Sequence, residues 1–143
     1  MILRLLDSVM PKAALPIKDL GRAGERRAAW FYRWRGFAIL AENVRDRRGE
    51  IDLVARRGKL VVFAEVKTRQ QTRMGEPWEA VDRAKELRIA SIAERFVHQH
   101  RLDHCAIRFD VLSLQWNGWR FAVTHYPNAF ELESDPSRPW IER

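Results

Sequence analysis

Apolar residues recur along this chain with two different spacings, and each spacing predicts a type of element. A stripe that includes Ala28 and Tyr32 has the three- and four-residue spacing of a helix. It predicts a helix over 19–35, with Asp19 as its N-cap and Gly36 just after its last turn. The first predicted element of the chain is therefore a helix.

Shorter apolar runs predict strands. They lie at 37–41, 49–55, 60–67, 106–114 and 119–125. Asn117 and Gly118 predict a two-residue hairpin turn between the last two strands. In the fourth strand, alternation predicts that Phe109 and Val111 face the core while Asp110 faces outward.

A second helix is predicted to begin near Pro77, between the third and fourth strands. Its core stripe is Val81, Ile89, Ile92, Ala93, Phe96 and Val97. The order αβββαββ places the chain in the α/β class. Prolines at 11 and 16 indicate an N-terminal arm over 1–18, before a single domain at 19–126 and a tail at 127–143.

Charged residues inside two of the apolar strands are the most informative departure from this pattern. Side chains alternate along a strand, so Glu50 and Asp52 share one face of the second strand, and Glu65 and Lys67 share one face of the third. Apolar strands rarely keep such charges without a chemical reason. These residues are candidates for a functional site.

The turn between the two strands decides whether the two faces coincide. A four-residue loop at 56–59, or a two-residue turn at its centre, would put Asp52 opposite Phe63 and Glu50 opposite Glu65. All four polar groups would then converge. A loop of three or five residues would send the acids to opposite faces.

Carboxylates held together at neutral pH repel one another, and a hard divalent cation relieves that repulsion. We expect Asp52 and Glu65 to hold Mg²⁺ or Mn²⁺, with the main-chain carbonyl of Val66 as a third ligand. Lys67 would then stabilise charge that develops on a phosphate. The alternative is an exposed hairpin face whose charges form ordinary surface pairs.

An acid, a spacer and Glu-x-Lys on the next strand resemble the PD-(D/E)xK nucleases, with Ile51 at the proline position. A longer series over about residues 20–114 resembles the YraN family of small bacterial proteins. The series is Gly24-Glu25, Asn43, Arg45, Gly49-Glu50-Ile51-Asp52-Leu53-Val54, Val62-Phe63-Ala64-Glu65-Val66-Lys67-Thr68-Arg69, Gly75, Ala80-Val81, Lys85, Arg88-Ile89 and Phe109-Asp110-Val111.

This resemblance implies a restriction-endonuclease-like fold, with a central mixed five-stranded sheet flanked by helices, similar to Holliday-junction resolvases. It also implies that Glu25, on the helix before the first strand, is a fourth acid of the site after Glu50, Asp52 and Glu65, and that the catalytic residues are Glu25, Asp52, Glu65 and Lys67. Two symmetric cuts by a resolvase need two active sites, so the resemblance is compatible with a homodimer.

Composition points to an anionic partner. The chain has 26 Lys and Arg against 19 Asp and Glu, which gives a net charge of +7 and favours nucleic acid, with DNA first. Basic residues expected to hold the phosphate backbone are Arg45, Arg47, Arg48, Arg69, Arg73, Lys85 and Arg88. Cys105 is the only cysteine, which excludes an intrachain disulfide and fits a reducing, cytoplasmic setting. No apolar run reaches the roughly 20 residues of a membrane span, so no membrane partner is expected.

Two other kinds of site fit the sequence poorly. His98, His100 and His104 stand near Cys105, but their spacing lacks the paired ligands of a closed zinc site. No Gly-x-Ser-x-Gly turn supports a serine nucleophile. The acids of the two strands and the resemblance to PD-(D/E)xK nucleases together predict a metal-dependent endonuclease that hydrolyses DNA phosphodiesters. The alternatives are a non-catalytic nucleic-acid-binding or assembly module of the same fold, or an RNA- or ribosome-associated factor.

Overall fold

The computed structural model describes residues 17–70 and 83–130, which contain two helices and five strands. They are α1 (Ile17–Trp34), β1 (Ala38–Asp46), β2 (Gly49–Arg57), β3 (Leu60–Gln70), α2 (Arg83–Gln99), β4 (Ala106–Trp116) and β5 (Phe121–Tyr126). The order αβββαββ is the one that the sequence predicts.

The five strands form one mixed sheet in the order β1-β2-β3-β4-β5. Strands β3 and β4 are parallel, and the other neighbours are antiparallel. A parallel pair needs a crossover connection, and α2 supplies it. The predicted α/β class with a mixed five-stranded sheet flanked by helices is confirmed, and it is compatible with a restriction-endonuclease-like fold.

Each helix buries its apolar stripe on one face of the sheet. The core cluster on the α1 side combines residues of the helix and the sheet: Ala28, Ala29, Phe31, Tyr32, Phe37, Leu53, Ala55, Val62, Ala64, Leu112 and Leu114. The cluster on the α2 side consists of Ile51, Val54, Val61, Phe63, Ile89, Ile92, Ala93, Phe96, Val97, Leu102, Cys105 and Phe109. Strands β2 to β4 are therefore covered on both sides, which makes them nearly continuous in apolar residues.

The ends of α1 refine the sequence prediction. The helix already includes Ile17, so Asp19 lies in the first turn, and its assignment as the N-cap is wrong. There its carboxylate still favours the helix dipole. Gly36 has a φ of +83°, the left-handed conformation that ends a helix most easily in glycine. Strand β1 then begins at Ala38, within the run predicted to start a strand, and continues to Asp46.

The predicted register of β2 against β3 is wrong by two residues. Phe63 pairs with Val54, not with Asp52, and the last pair is Arg57 with Leu60. The two-residue turn is thus Gly58-Lys59, because Gly58 has a φ of +57° and tight hairpins favour glycine in the first turn position. A shift of two residues does not by itself move a side chain to the other face of the sheet.

The hairpin between β4 and β5 differs in the same way. Trp116 pairs with Phe121, so the loop has four residues rather than two and β5 begins later than predicted. The side chain of Asn117 explains the longer loop, because its Oδ1 accepts hydrogen bonds from the amides of Trp119 and Arg120, at 3.2 and 3.1 Å.

The outward orientation predicted for Asp110 is also wrong. Asp110 is fully buried, as are Leu112 and Leu114 on the same face of β4. The prediction assumed one covered face, whereas α1 packs over this side of the strand. A central strand covered on both faces does not alternate in polarity.

Some predicted features lie outside the described residues. They include most of the arm at 1–18, most of the tail at 127–143, the helix start at Pro77, and Val81 and Arg73. Neither of the two described helices combines the length and the apolar character that crossing a membrane requires.

Candidate active site

Asp52 lies where the pairing of β2 with β3 ends. The last paired residues are Leu53 and Ala64. One position further, Oδ2 of Asp52 accepts a hydrogen bond from the amide of Val66, at 2.8 Å. The Asp52 carboxylate therefore accepts the hydrogen bond that a main-chain carbonyl of β2 would have accepted in a continued ladder. This bond holds the Asp52 carboxylate against β3.

Strand β2 does not alternate regularly at this point. Ile51 and Val54 both pack in the cluster under α2, although residues three apart on a regular strand lie on opposite faces. Asn43 on the neighbouring strand has a φ of +51°, which is uncommon for a residue other than glycine. Asp52 thus occupies a distorted part of the sheet, as functional side chains often do.

Two ammonium groups hold the carboxylate of Glu65. Nζ of Lys67 lies 3.0 Å from Oε1 of Glu65, and Nζ of Lys85 on α2 pairs with the same oxygen. The Glu65 side chain is only 12% exposed, so these charges interact with little screening by water. The predicted convergence of Glu65 and Lys67 on one face is observed, and Lys85 joins them.

The electrostatics of Asp52 show that acids are concentrated here. Burial is the main cause that raises the pKa of Asp52, from its ordinary 3.8 to about 6. The amide of Val66 opposes that shift, while the carboxylates of Glu65, Glu50 and Glu25 add to it. The other three predicted acids therefore all act on Asp52 electrostatically.

Glu25 reaches this region because α1 packs closely on β3. Gly24 is buried against Thr68, and a Cβ at position 24 would lie 2.1 Å from the Thr68 hydroxyl oxygen. Only glycine permits this approach. The contact holds the half-buried Glu25 near the end of the sheet where Asp52 and Glu65 lie.

Glu50 takes a different direction from the one predicted. It pairs across β1 with Arg45, with 3.2 Å between Oε2 and Nε, and does not lie opposite Glu65. The Arg45 side chain is 72% exposed. Glu50 therefore contributes its charge to the surroundings of Asp52 but forms a surface ion pair.

The predicted phosphate-binding residues are spread over three places. Arg45, Arg47 and Arg48 lie at the turn between β1 and β2, where Arg48 bonds to Ser91 and to Asp46. Arg88 is exposed on α2, and Arg69 is half-buried on β3. Lys85 differs from this set, because its ammonium group lies inside the site.

The donor set suits a hard divalent cation. Asp52 and Glu65 offer carboxylate oxygens, and Val66, the residue after Glu65, offers a main-chain carbonyl. The raised pKa of Asp52 means that its negative charge is poorly compensated in this structure. Among residues 17–70 and 83–130, no three His, Cys, Asp or Glu side chains gather closely enough to hold a metal by themselves. A cation here would therefore combine two carboxylates with main-chain, water or substrate oxygens, as Mg²⁺ commonly does.

Sequence reasoning missed a second polar cluster, around Asp110. The Asp110 carboxylate accepts hydrogen bonds from Tyr32 Oη at 2.9 Å, from Arg108 Nε and Nη2 at 2.8 Å, and from the amide of Asn128 at 3.0 Å. His125 Nε2 lies 2.8 Å from it. An acid in an apolar strand, the signal used for Glu65, was present at Asp110 too. This cluster ties α1 to β4 and β5 and has a structural role.

Comparisons with known proteins identify relatives over most of the chain. The family described as "Uncharacterised protein family UPF0102" matches residues 24–114. A UPF0102 protein of Syntrophotalea carbinolica is 41% identical over 115 residues, which cover 80% of this chain and 94% of the relative. One of Geobacter metallireducens is 45% identical over 116 residues, with the same coverage of each. One of Symbiobacterium thermophilum is 45% identical over 98 residues, which cover 68% of this chain and 83% of the relative.

Proposed function

Because this chain belongs to the uncharacterised protein family UPF0102, the YraN family with its restriction-endonuclease-like fold, we propose that it is a metal-dependent endonuclease acting on DNA. The substrate would be branched or otherwise structured DNA, and the reaction would be hydrolysis of a phosphodiester. Mg²⁺ or Mn²⁺ would serve as the cofactor.

One observation carries the proposal: the Asp52 carboxylate binds the amide of Val66, the residue next to Glu65, where β2 and β3 separate, and Lys67 lies on the Glu65 carboxylate. Within residues 17–70 and 83–130, Asp52 takes part in none of the ion pairs of the structure, although the charge of Lys85 acts on it. A half-buried carboxylate with a raised pKa and acidic neighbours is typical of a functional site.

Each residue of the site has a distinct task in this proposal. Asp52 and Glu65, with the Val66 carbonyl, would hold the cation, which when bound would offset phosphate charge and favour ionisation of the attacking water. As the water oxygen bonds to phosphorus and an ester oxygen leaves, Lys67 would donate a hydrogen bond to a phosphate oxygen that gains charge. Glu25 would support the site from α1.

Cleavage assays with and without Mg²⁺ or Mn²⁺ test the proposal on four-way junctions, flaps and single strands. We expect Asp52→Asn and Lys67→Ala to lose cleavage while DNA binding survives. Asp103→Asn and Lys59→Ala, which alter exposed residues remote from the site, should cut like the unaltered protein. If none of these substrates is cut in a metal-dependent reaction, the proposed nuclease activity is refuted.

The second candidate is a nucleic-acid-binding or assembly module that keeps the fold without cutting. The two ammonium groups on Glu65 favour it, because they already balance the charge that a cation would otherwise neutralise. Such a module would bind DNA without any metal dependence. Preference for RNA without metal dependence would instead indicate an RNA- or ribosome-associated factor.

A further inference from the structure

The outer face of α1 carries two large aromatic side chains that the core does not use. Trp30 is 53% exposed and Trp34 is 79% exposed. Their ring centroids lie 6.4 Å apart and their planes are tilted by 35°. Burying the apolar surface of two indoles would be favourable, so their exposure indicates a surface that binds a partner.

The neighbours of Trp30 on the helix surface are almost all cationic. Residues three and four positions away on a helix are surface neighbours, and for Trp30 these are Arg26, Arg27, Arg33 and Trp34. All four are exposed. Within residues 17–70 and 83–130, the ion pairs of the structure include none of these three arginines. Their charges are therefore available to an anionic ligand.

Two further guanidinium groups lie near the C-terminal end of the same helix. Arg35 lies over the Phe31 ring, 3.5 Å from its centroid, and Arg57 lies over Phe37 at 4.4 Å. Both side chains remain exposed, and Nη1 of Arg57 donates to the Arg35 carbonyl at 2.8 Å. Arg35 likewise donates from Nη1 to the Phe31 carbonyl, at 3.1 Å. A guanidinium has five N–H donors, so each of these two groups retains donors for phosphate oxygens.

We propose that the aromatic face of α1, formed by Trp30, Trp34, Arg26, Arg27 and Arg33, binds an unpaired stretch of DNA by base stacking and phosphate contacts. Exposed indoles among guanidinium groups match a strand whose bases and phosphates are both accessible. A paired duplex hides its base faces, and a protein partner of ordinary composition would leave the arginines unmatched. The choice of DNA rests on the proposed function.

A single strand would pass around α1 to reach both this face and the candidate active site, because at 3.6 residues per turn Trp34 lies nearly opposite Glu25 on the helix. Glu25 lies on the same helix, five residues before Trp30 and nine before Trp34. At about 1.5 Å per residue these separations along the axis are roughly 8 and 14 Å. The aromatic face would thus receive the single-stranded arm of a branched substrate whose junction lies at the site.

Binding of a labelled oligothymidylate of about 15 nucleotides, measured by fluorescence anisotropy in EDTA, tests the proposal. We expect Trp34→Ala to weaken binding about 5- to 150-fold, the range found for loss of one stacked base, and Trp34→Phe to restore most of it. Leu87→Ala is the matched control, because Leu87 is 50% exposed on the other helix. An abasic strand of equal length should bind the unaltered protein more weakly, which needs no variant.

Unchanged affinity in the double variant Trp30→Ala and Trp34→Ala would overturn the proposal, as would equal binding of the abasic and intact strands. Tighter binding of oligouridylate would replace DNA with RNA. If the double variant abolishes self-association and leaves the affinity for the oligonucleotide unchanged, the aromatic face binds a second copy of the chain instead of DNA. Because no metal is present, these results are independent of whether the protein cuts DNA.

Discussion

Replacing Asp52 with asparagine should make the protein more stable at neutral pH in the absence of metal. The pKa of Asp52 is raised to about 6 on folding, from its ordinary 3.8, chiefly by burial. The folded state therefore prefers the protonated acid. Asparagine keeps an acceptor for the Val66 amide but removes the charge that Glu65, Glu50 and Glu25 repel.

The size of the effect follows from the pKa shift. At about 1.4 kcal/mol per pKa unit, the rise to about 6 opposes folding by about 3 kcal/mol once the carboxyl is ionised. Part of this is lost because the amide also has to leave water, so we expect Asp52→Asn to gain about 1–3 kcal/mol at pH 7.5. The destabilisation is absent below pH 3.8, grows between pH 3.8 and 6, and is complete above pH 6.

Urea unfolding of both proteins in EDTA, at pH 4 and pH 7.5, measures this difference. The gain should be present at pH 7.5 and nearly absent at pH 4, and Asp103→Asn should change little at either pH. Saturating Mn²⁺ should stabilise the unaltered protein more than the variant, since the cation binds only the folded state. A variant that is less stable at pH 7.5, or a gain that is equal at both pH values, would refute this reasoning.

Three other perturbations test separate parts of the structure. Asp110→Ala should lower the free energy of unfolding by about 3–5 kcal/mol, measured by thermal unfolding. Burial raises the pKa of Asp110, but its hydrogen bonds outweigh burial and lower the pKa below 3.8. The stabilisation by Asp110 should therefore persist above pH 3.8 and be lost only in stronger acid. Gly24→Ala should destabilise the fold by about 1–3 kcal/mol, because its Cβ would overlap Thr68, whereas Gly21→Ala, with open space around it, should not. Lys85→Met should tighten Mn²⁺ binding about tenfold in calorimetry, because Lys85 pairs with an oxygen of Glu65 that the cation needs; weaker binding would show that Lys85 supports the site.

Much of the fold was predictable because the hydrophobic period decides the type of each element. The registers were not, since both hairpins shifted by two residues for local reasons, namely the turn position that suits Gly58 and the side-chain bonds of Asn117. Because side chains repeat every two residues along a strand, an even shift left Glu65 and Lys67 on the predicted face.

The sequence did not predict how the helices and β1 pack around the site. The contribution of Lys85 depends on how α2 lies over the sheet, and the ion pair of Glu50 with Arg45 depends on β1. The burial of Asp110 depends on α1 covering the second face of β4. None of these is encoded by the period of a single strand.

The proposed nuclease depends on Asp52 and Glu65 binding a divalent cation together. Crystals soaked in Mn²⁺ test this most directly, through anomalous difference density recorded at the manganese edge. We expect a peak between the two carboxylates that disappears in Asp52→Asn crystals. A saturating soak that leaves this position without a peak, with Lys67 and Lys85 still on Glu65, would contradict it.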